Sequence, residues 1–450
     1  MKRRLLPPLF FSVRLPTLLA MFWRAHIRPP SISGIARKGP LSILIVRLDS
    51  LGDVVMTTPL FRALKSAFPK SRCTVVVQRS YKSLLATNPH IDEILTLPNI
   101  RPGWLPARLR RLLAAVLFFW TELRKQHFDF AIAPRWDVDE HLATFLCLLS
   151  DAATHVGYSE TATATKQRIN RGFDRAYNVC LPPGPVRHEV LRNLDIAEAL
   201  GASVGEAGPE IYVTEQDRKR AAKLLRRAPA EAKLVAIGIG ARSPGRRWPL
   251  KCYCEIMGQL DRSYRAWPVI VCSGPELGEA LKLARSLRCP ATIVSGARLR
   301  DVCAVLERCE LFIGNDSGCA HLAAAMGCKT VVISRHPRNG DPDHGNSPFR
   351  FAPFGRQVRV LQPASGLERC TVACSSPRPH CITQVKVEEV VAAARELLTE
   401  PQAVTAPIVA PESLEASQQV LQVGPADALP CASEALHSIT AVPVVTPCPR

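Results

Sequence analysis

Short apolar segments alternate along the chain with longer segments whose apolar residues recur every three or four positions. The short segments are candidates for buried parallel strands, and the longer ones are candidates for amphipathic helices. The strand candidates lie at residues 42–48, 73–77, 93–97, 128–133, 234–237, 269–272, 292–294, 311–313 and 330–333. This alternation predicts an α/β fold with two doubly wound parallel sheets, joined near residues 185–230.

The same pattern divides the chain into four parts. A leader covers residues 1–40, and two α/β domains cover residues 41–200 and 201–398. From about Thr399 onward Pro, Ala, Val, Ser and Gln dominate without steady periodicity. Such a composition cannot bury enough apolar surface to offset chain entropy, so residues 399–450 are predicted to be a disordered tail.

The junction after residues 311–313 is the first candidate for chemistry. The turn Gly314-Asn315-Asp316-Ser317-Gly318 opens onto an Ala-rich helix that ends near Gly327. A junction of this kind directs backbone N–H groups and the positive end of a helix dipole at one point. It suits a phosphate or pyrophosphate, and His321 can face the same cleft from the first turns of the helix. The alternative is an ordinary turn in which Asp316 or Ser317 caps the helix and His321 packs within the structure.

A matching junction follows the first strand candidate. Asp49-Ser50-Leu51-Gly52-Asp53 forms the turn, and residues 54–67 continue with helical spacing, although Pro59 weakens that helix unless it lies near the first turn. Asp53 therefore lies just beyond the carboxyl end of a strand, where open α/β sheets bind their ligands. Its alternative role is a helix cap. The segment lacks G-x-G-x-x-G, which argues against a standard dinucleotide site.

Both junctions carry a resemblance to a known family. The segment Arg47 to Leu60, RLDSLGDVVMTTPL, resembles the amino-terminal signature of glycosyltransferase family 9, the heptosyltransferases of lipopolysaccharide core synthesis. Gly314 to Gly327 resembles that family's second signature, with Asp-Ser/Thr-Gly followed by His. Further similar segments follow in the same order over about residues 42–398. They are His188 to Leu194, Ala236 to Ala241 with Arg246 to Pro249, and the Cys370, Cys374, Cys381 pattern.

The resemblance implies a glycosyltransferase-B fold with the active site in the cleft between an acceptor-side first domain and a donor-binding second domain. It implies a metal-independent transferase that moves heptose from ADP-heptose to a lipopolysaccharide-core or other glycan, glycolipid or oligosaccharide acceptor, and one direct displacement would make the transfer inverting. It needs no cofactor. Two other classes remain open: a nucleotide-sugar epimerase or hydrolase of related fold, and a non-catalytic membrane-binding protein.

Glycosyl transfer assigns a role to each candidate residue. Asp53 is the predicted general base, because the acceptor hydroxyl must lose its proton as it attacks. Negative charge grows on the leaving diphosphate, and preorganised N–H donors beside a cation would stabilise it. The predicted diphosphate-binding residues are Arg246, Arg247, Ser317, Gly318 and His321. Asp316 is assigned to the donor sugar or nucleotide, and His188 with Glu189 to the cleft or hinge.

Two loops limit the choice of substrate. After residues 330–333 the family typically continues with a Phe-Gly-Pro-Thr-like loop, whereas this chain has the different segment Ser334 to Pro348. That segment could contact the nucleotide or the sugar. Pro134 to Asp139 follows a first-domain strand where an acceptor would dock. Either segment could also be plain loop structure, so the sequence supports sugar transfer more firmly than it supports heptose as the sugar.

The formal net charge is +19, and the first acidic residue of the chain is Asp49. The leader is basic and aromatic-bearing, but prolines interrupt it and Arg14 lies near its middle, which disfavours a membrane-spanning helix. A cleaved targeting peptide is an alternative. The favoured hypothesis is a leader lying on an anionic membrane surface. Together with the resemblance, it implies an enzyme on the cytoplasmic face of the bacterial inner membrane. The core is then expected to fold without the leader. No nucleic-acid-binding motif is recognised, so nucleic acid is not predicted as a partner.

Two further features stay open at this point. The strongly apolar helix predicted at Arg108 to Lys125 can pack in the core or provide a second membrane-facing surface. The sixteen cysteines are scattered through predicted strands and helices, which favours reduced thiols. Cys370, Cys374 and Cys381 with His380 could form a zinc site, but they contain no close C-x-x-C pair, so no metal is predicted.

Overall fold

The computed structural model describes residues 15–27, 40–98, 106–205, 208–368 and 370–400. Most of the predicted leader and nearly all of the predicted disordered tail therefore lie outside the described residues. Within them, no helix is both long enough and apolar enough to cross a membrane.

The first half of the chain forms a six-stranded parallel sheet of order β3-β2-β1-β4-β5-β6. Its strands, with the helices that precede or follow them, are α1 (Leu15–Ile27), β1 (Ser42–Arg47), α2 (Leu51–Ala67), β2 (Arg72–Val77), α3 (Lys82–Leu85), β3 (Glu93–Thr96), α4 (Ala107–Thr121), β4 (Phe130–Ala133), α5 (Ala143–Leu149), β5 (Thr154–Tyr158), α6 (Ala164–Ile169), β6 (Val179–Leu181) and α7 (Glu189–Ala199).

The second half repeats the architecture, with sheet order β12-β11-β10-β7-β8-β9 and all strands parallel. Its elements are α8 (Glu215–Leu224), β7 (Lys233–Gly238), α9 (Leu250–Tyr264), β8 (Ala266–Cys272), α10 (Leu277–Ser286), β9 (Thr292–Ser295), α11 (Leu299–Leu306), β10 (Leu311–Asn315), α12 (Gly318–Ala325), β11 (Lys329–Ile333), α13 (Pro348–Phe351), β12 (Val358–Leu361) and α14 (Val387–Thr399). The predicted pair of doubly wound parallel sheets is confirmed.

In each sheet, the order in which successive strands are added reverses at one place, which we call the direction change. In the first sheet that place lies between β1 and β4, and in the second it lies between β7 and β10. Loops leave the carboxyl ends of these strands on opposite sides, which opens a crevice for ligands. Helix α7 packs on α2, whereas α8 packs on α11, so the chain passes from one sheet unit to the other between these two helices.

Three strands have no counterpart in the hydrophobic pattern, namely β5, β6 and β12. Strand β6 has three residues, and both β6 and β12 lie at a sheet edge. These two strands are buried less completely and lack the continuous apolar run that marks a central parallel strand, whereas β5 is buried but its apolar run is interrupted by His155 and Gly157.

Helix α2 continues through Pro59, although Pro59 lies far beyond the first turn. A proline cannot donate to the carbonyl four residues earlier, which here is that of Val55. The Thr58 hydroxyl donates to this carbonyl over 2.8 Å and replaces the missing backbone bond. The predicted weakness of the helix at Pro59 is therefore offset by the residue before it.

Helix α1 is the part of the predicted leader that the structure describes. It lies against α5 and the 3-10 turn Phe173–Ala176, with Thr17 and Ala20 buried in the contact. The prediction that the core folds without the leader stays a prediction, and this packing shows what such a core would lack. Removing α1 would expose the apolar surface of α5 that it covers.

Candidate functional site

Both direction changes open onto one cleft of about 880 Å³ between the two sheets. The loops after β1 and β4 line one wall, and the loops after β7, β8, β9 and β10 line the other. Among the lining residues, the charged, polar and glycine positions that bear on chemistry are Asp53, Arg135, Arg242, Arg246, Glu276, Asp316, Ser317, Gly318, His321 and Arg335. The fold thus brings the two sequence junctions together although they are more than 250 residues apart in the chain.

Asp53 lies in the first turn of α2, where Ser50 is the residue before the helix. One carboxylate oxygen accepts from the Ser50 backbone N–H at 3.1 Å and from its hydroxyl at 2.6 Å. The other oxygen lies 3.3 Å from Arg47 Nη2 and 3.4 Å from Arg135 Nη1. Asp53 is therefore both a helix cap and a cleft residue, and its orientation is fixed from two sides.

These contacts determine the charge of Asp53. Burial alone would raise the pKa of the Asp53 carboxyl group. Arg47, Arg135 and the two Ser50 hydrogen bonds oppose it and lower the pKa of Asp53 from 3.8 to about 2. The side chain is consequently a carboxylate at every pH at which an enzyme would ordinarily work.

Arg135 is a cleft residue for which the sequence indicates only the loop. It follows β4 directly at the direction change of the first sheet. Its guanidinium lies 3.5 Å from Asp49 as well as beside Asp53. Burial alone would lower the pKa of Arg135, but these two carboxylates outweigh it and raise that pKa, so Arg135 keeps its positive charge. Its position directly after a central strand is the signal that could have identified it.

The opposite wall is built on the junction between β10 and α12. Ser317 precedes the helix in an extended conformation, and its side chain forms no capping hydrogen bond. Asn315, the last residue of β10, accepts from the Trp248 backbone N–H at 2.8 Å and donates to the Ile239 carbonyl at 2.7 Å. Asn315 therefore anchors the loop after β7 beside the start of α12.

The first turns of α2 and α12 approach each other closely across the cleft. A Cβ atom at Gly318 would lie 2.8 Å from Leu51 Cδ2, and one at Gly52 would lie 2.8 Å from the His321 ring. Any larger residue at these two positions would separate the helices. His321 is buried here, and burial lowers the pKa of its imidazole, which is consequently neutral at pH 7.

The two predicted arginines have different positions. Arg246 lines the cleft, with Nη2 2.5 Å from Asp316 Oδ2. Arg247 lies 3.0 Å from Glu279 and 3.5 Å from Glu276, and it is not among the residues that line the cleft. The structure thus places Arg246 with the other predicted donor-site residues, whereas Arg247 reaches the cleft only through its ion pair with the lining residue Glu276.

His188 lies where the two sheet units meet and is not among the residues that line the cleft. It precedes α7, where Nδ1 accepts from the Val190 N–H at 3.2 Å. Nε2 lies 2.8 Å from the Ala352 carbonyl oxygen, which can only accept, so Nε2 carries the proton. Burial lowers the pKa of His188 to about 4. A neutral hinge residue fits this geometry better than an acid or a base.

Glu189 binds a residue that no sequence pattern singles out. Arg350 is fully buried and donates to Glu189 Oε1 from Nε at 3.1 Å and from Nη2 at 2.8 Å. Arg350 Nη1 also donates to Asp137 at 3.2 Å and to the Asp343 carbonyl at 2.5 Å. Asp137 and Asp343 belong to the two loops whose function the sequence leaves open. Arg350 therefore joins the loop after β4, the loop after β11 and the start of α7.

Comparison with known proteins places this site in context. A family model described as glycosyltransferase family 9 (heptosyltransferase) matches residues 116–338. The lipopolysaccharide core heptosyltransferase OpsX of Haemophilus influenzae is 22% identical over 331 residues, which span 72% of this chain and 85% of that protein. The lipopolysaccharide heptosyltransferase 3 of Escherichia coli K12 is 24% identical over 290 residues, or 63% of this chain and 78% of that protein.

Solved structures show the same fold. A family 9 glycosyl transferase from Veillonella parvula superposes with a TM-score of 0.65 at 20% identity, covering 81% of this chain and 98% of that one. The E. coli heptosyltransferase WaaC, solved with ADP, superposes with a TM-score of 0.58 at 18% identity, covering 79% of this chain and all of the other. These matches show that the two sheets have the glycosyltransferase-B arrangement.

Proposed function

The chain belongs to glycosyltransferase family 9, and from this membership we propose that it transfers heptose from ADP-heptose to a lipopolysaccharide-core or similar glycolipid acceptor. The observation that carries the proposal is the placement of the Asp53 carboxylate across one cleft from the start of α12. A base and an anion site on opposite walls are what a displacement at a sugar carbon needs.

The donor diphosphate is assigned to the second-domain wall. The start of α12 directs the positive end of its dipole into the cleft, and Ser317 and Gly318 line the cleft there. Arg246 lies beside this point, and Arg242 and Arg335 line the same cleft. Preorganised positive charge stabilises a diphosphate as it leaves, so transfer is proposed to need no divalent metal ion. Asp316 holds Arg246 in place and can also accept from a donor hydroxyl group.

The nucleoside is assigned to the part of the cleft beyond β8 and β9. Apolar side chains line it there, namely Val271, Ala297, Leu299 and Val302. Glu276 lies at the same wall and offers carboxylate oxygens to a ribose. The E. coli WaaC structure was solved with ADP, and the likeness of the two folds supports an adenine nucleotide here.

The acceptor hydroxyl group is assigned to the first-domain wall beside Asp53. With the acceptor and the leaving diphosphate on opposite sides of the anomeric carbon, one displacement inverts that centre. Asp53 takes the proton as the hydroxyl attacks. Its low pKa makes it a weak base, but the hydroxyl becomes strongly acidic late in the reaction, so a weak, firmly oriented carboxylate suffices. Arg135 holds the carboxylate from the acceptor side.

The donor is tested by incubating the full-length protein with ADP-, UDP- and GDP-sugars and measuring thermal stability. A ligand that binds only the folded state stabilises it by about 2.7 kcal/mol at a hundredfold excess over Kd. ADP-heptose is expected to give the largest shift in melting temperature. When it is incubated with the protein and a core glycolipid, mass spectrometry of the acceptor should show the addition of one heptose. Release of free sugar or an epimer without an acceptor would contradict transfer. A larger shift with a UDP- or GDP-sugar would contradict the donor alone.

The protein is further proposed to act at the cytoplasmic face of the inner membrane, where a glycolipid acceptor would be found. Helix α4 packs one face into the core, while its other face exposes Leu109, Leu113, Val116, Leu117 and Trp120. Trp120 is 55% exposed, and the Arg124 guanidinium lies 5.0 Å above its ring. An apolar ridge with a basic flank suits an anionic lipid surface. We therefore assign core packing to one face of this helix and propose the other face as the membrane-facing surface.

Membrane binding is tested by flotation with vesicles of phosphatidylglycerol and phosphatidylethanolamine. Leu117→Ser should weaken binding, whereas Leu281→Ser, at a similarly exposed leucine on α10, should not. Added salt should also weaken binding, because screening reduces the attraction of the basic residues. Equal binding of both variants, or resistance to high salt and carbonate, would contradict a peripheral surface at α4.

A further inference from the structure

Three cysteines and a histidine converge in the segment between β12 and α14, outside the cleft. The ligand atoms of Cys370, Cys374, His380 and Cys381 all lie within 4.8 Å of one another. The three thiols are buried, with exposed fractions of 6%, 1% and 0%. They form a cluster of their own that contains no other apolar side chain of the described residues. A cysteine that serves only to fill a core packs among aliphatic or aromatic groups, so this cluster calls for a different explanation.

The distances match a tetrahedral metal site. The Nδ1 atom of His380 faces all three sulfur atoms, at 3.6 Å from Cys370, 4.0 Å from Cys374 and 3.3 Å from Cys381. With Zn–S bonds of about 2.3 Å and a Zn–N bond of about 2.0–2.1 Å, tetrahedral geometry requires about 3.6 Å between each sulfur and the nitrogen. The observed separations lie around this value, so an ion fits between the four atoms with small adjustments.

We propose that Cys370, Cys374, His380 and Cys381 bind one structural Zn²⁺ ion. Three thiolates and an imidazole in a tetrahedron form a donor set that zinc prefers, and the set leaves no open position for chemistry. Backbone N–H groups support the sulfur atoms: that of Leu367 donates to Cys381 at 3.4 Å, and those of Ser376 and Cys381 donate to Cys374. No disulfide joins the cysteines of the described residues. The lack of C-x-x-C does not exclude a site, because the turns of the segment between residues 370 and 381 bring the four ligand atoms together.

The position of the cluster indicates what the metal would do. Between its ligands, the Ser376 carbonyl accepts from Arg335 Nη1 at 3.1 Å, and Arg335 lines the cleft. The Val372 carbonyl accepts from the Asp341 N–H at 2.8 Å, within the loop that follows β11. Zinc would therefore hold in place the segment that supports Arg335 and the loop after β11. Its role is positioning, and it takes no part in the transfer step.

The site is tested on the full-length protein by elemental analysis after exhaustive dialysis. About one zinc per chain is expected, together with its stoichiometric release into a colorimetric chelator when a mercurial titrates the thiols. Cys374→Ser and His380→Ala should each lose most of the zinc, whereas Cys254→Ser, at a cysteine on α9 outside the cluster, should keep it. The mercurial titration needs no variant, so it decides the question even if the substituted chains misfold.

Steady-state kinetics distinguish a zinc ion that positions Arg335 from one that only stabilises the fold. If the proposed function is right, zinc loss should raise the donor KM severalfold while kcat changes less, because the support of Arg335 is lost. Zinc content below a tenth of the chain concentration, iron in its place, a disulfide between two of the three cysteines, or equal zinc in all variants would overturn the assignment. Failure of the donor screen would leave the zinc stoichiometry as an independent result.

Discussion

The buried His188 gives a quantitative test of the structure. His188→Asn should keep the helix cap, since asparagine is also a favoured residue there, but it cannot reach the Ala352 carbonyl and does not titrate. Burial lowers the pKa of His188 from 6.5 to about 4 in the folded protein. Between these values the unfolded chain binds a proton that the folded chain does not, so wild-type stability must fall as the pH falls.

The size of the effect follows from the shift. A difference of one between the pKa values of the unfolded and folded states is worth about 1.4 kcal/mol. Protonation of His188 in the unfolded chain therefore lowers the free energy of unfolding by about 2 kcal/mol between pH 6.5 and pH 5, and by about 3 kcal/mol on reaching pH 4. The assay is urea unfolding of wild type and variant at pH 7.5 and pH 5, with exposed His127→Asn as the matched control. The variant should lose about 2 kcal/mol less than wild type and control on acidification. Equal losses in all three would refute a buried, neutral His188.

Three further predictions concern the donor wall. Ser317→Pro removes a backbone N–H from the start of α12 and should abolish donor binding in a folded protein, whereas Ser317→Ala should bind normally, because the hydroxyl makes no capping bond. Arg246→Gln should weaken donor affinity about tenfold to a hundredfold in calorimetry, the loss typical of a hydrogen bond to a charged group, and it should weaken affinity more than Arg247→Gln, which acts only through Glu276. Gly52→Ala should raise the donor KM by forcing α2 and α12 apart. Gly258→Ala is the control, because its added methyl group meets open space and should only raise the stability by about 0.5–1 kcal/mol. Equal KM values for the two variants would contradict the close approach of the helices.

The parts of the fold that could be predicted from the sequence are those determined locally. The junctions after β1 and β10 combine an apolar run, a capping residue and a helix start within about fifteen residues, and the structure has both of them. Helix α4 was also predicted nearly to its observed bounds, because its apolar residues recur at helical spacing. Edge strand β12 carries no such local signal.

The rest depends on contacts between distant residues. Arg350 joins Glu189 and Asp137, which are 161 and 213 residues away in the chain, and nothing near it in the sequence indicates this. Arg246 and Arg247 are adjacent and chemically identical, so only the fold distinguishes the cleft residue from its neighbour. The Cys370 cluster could be named from the sequence as a possible ligand set, but whether its four ligand atoms converge depends on how the segment before α14 turns back on itself.

The role of Asp53 is tested most directly by measuring the turnover of Asp53→Asn beside its donor affinity. The variant keeps the size of the side chain and leaves the start of α12 intact, so Kd for the donor should stay close to that of wild type. Turnover should fall by about 10²–10⁴-fold, the range for loss of a general base. The buried Arg47 loses a charged partner, so an unfolding curve must first show that the variant is folded. Near wild-type turnover in the folded variant would contradict the role of Asp53 as the base.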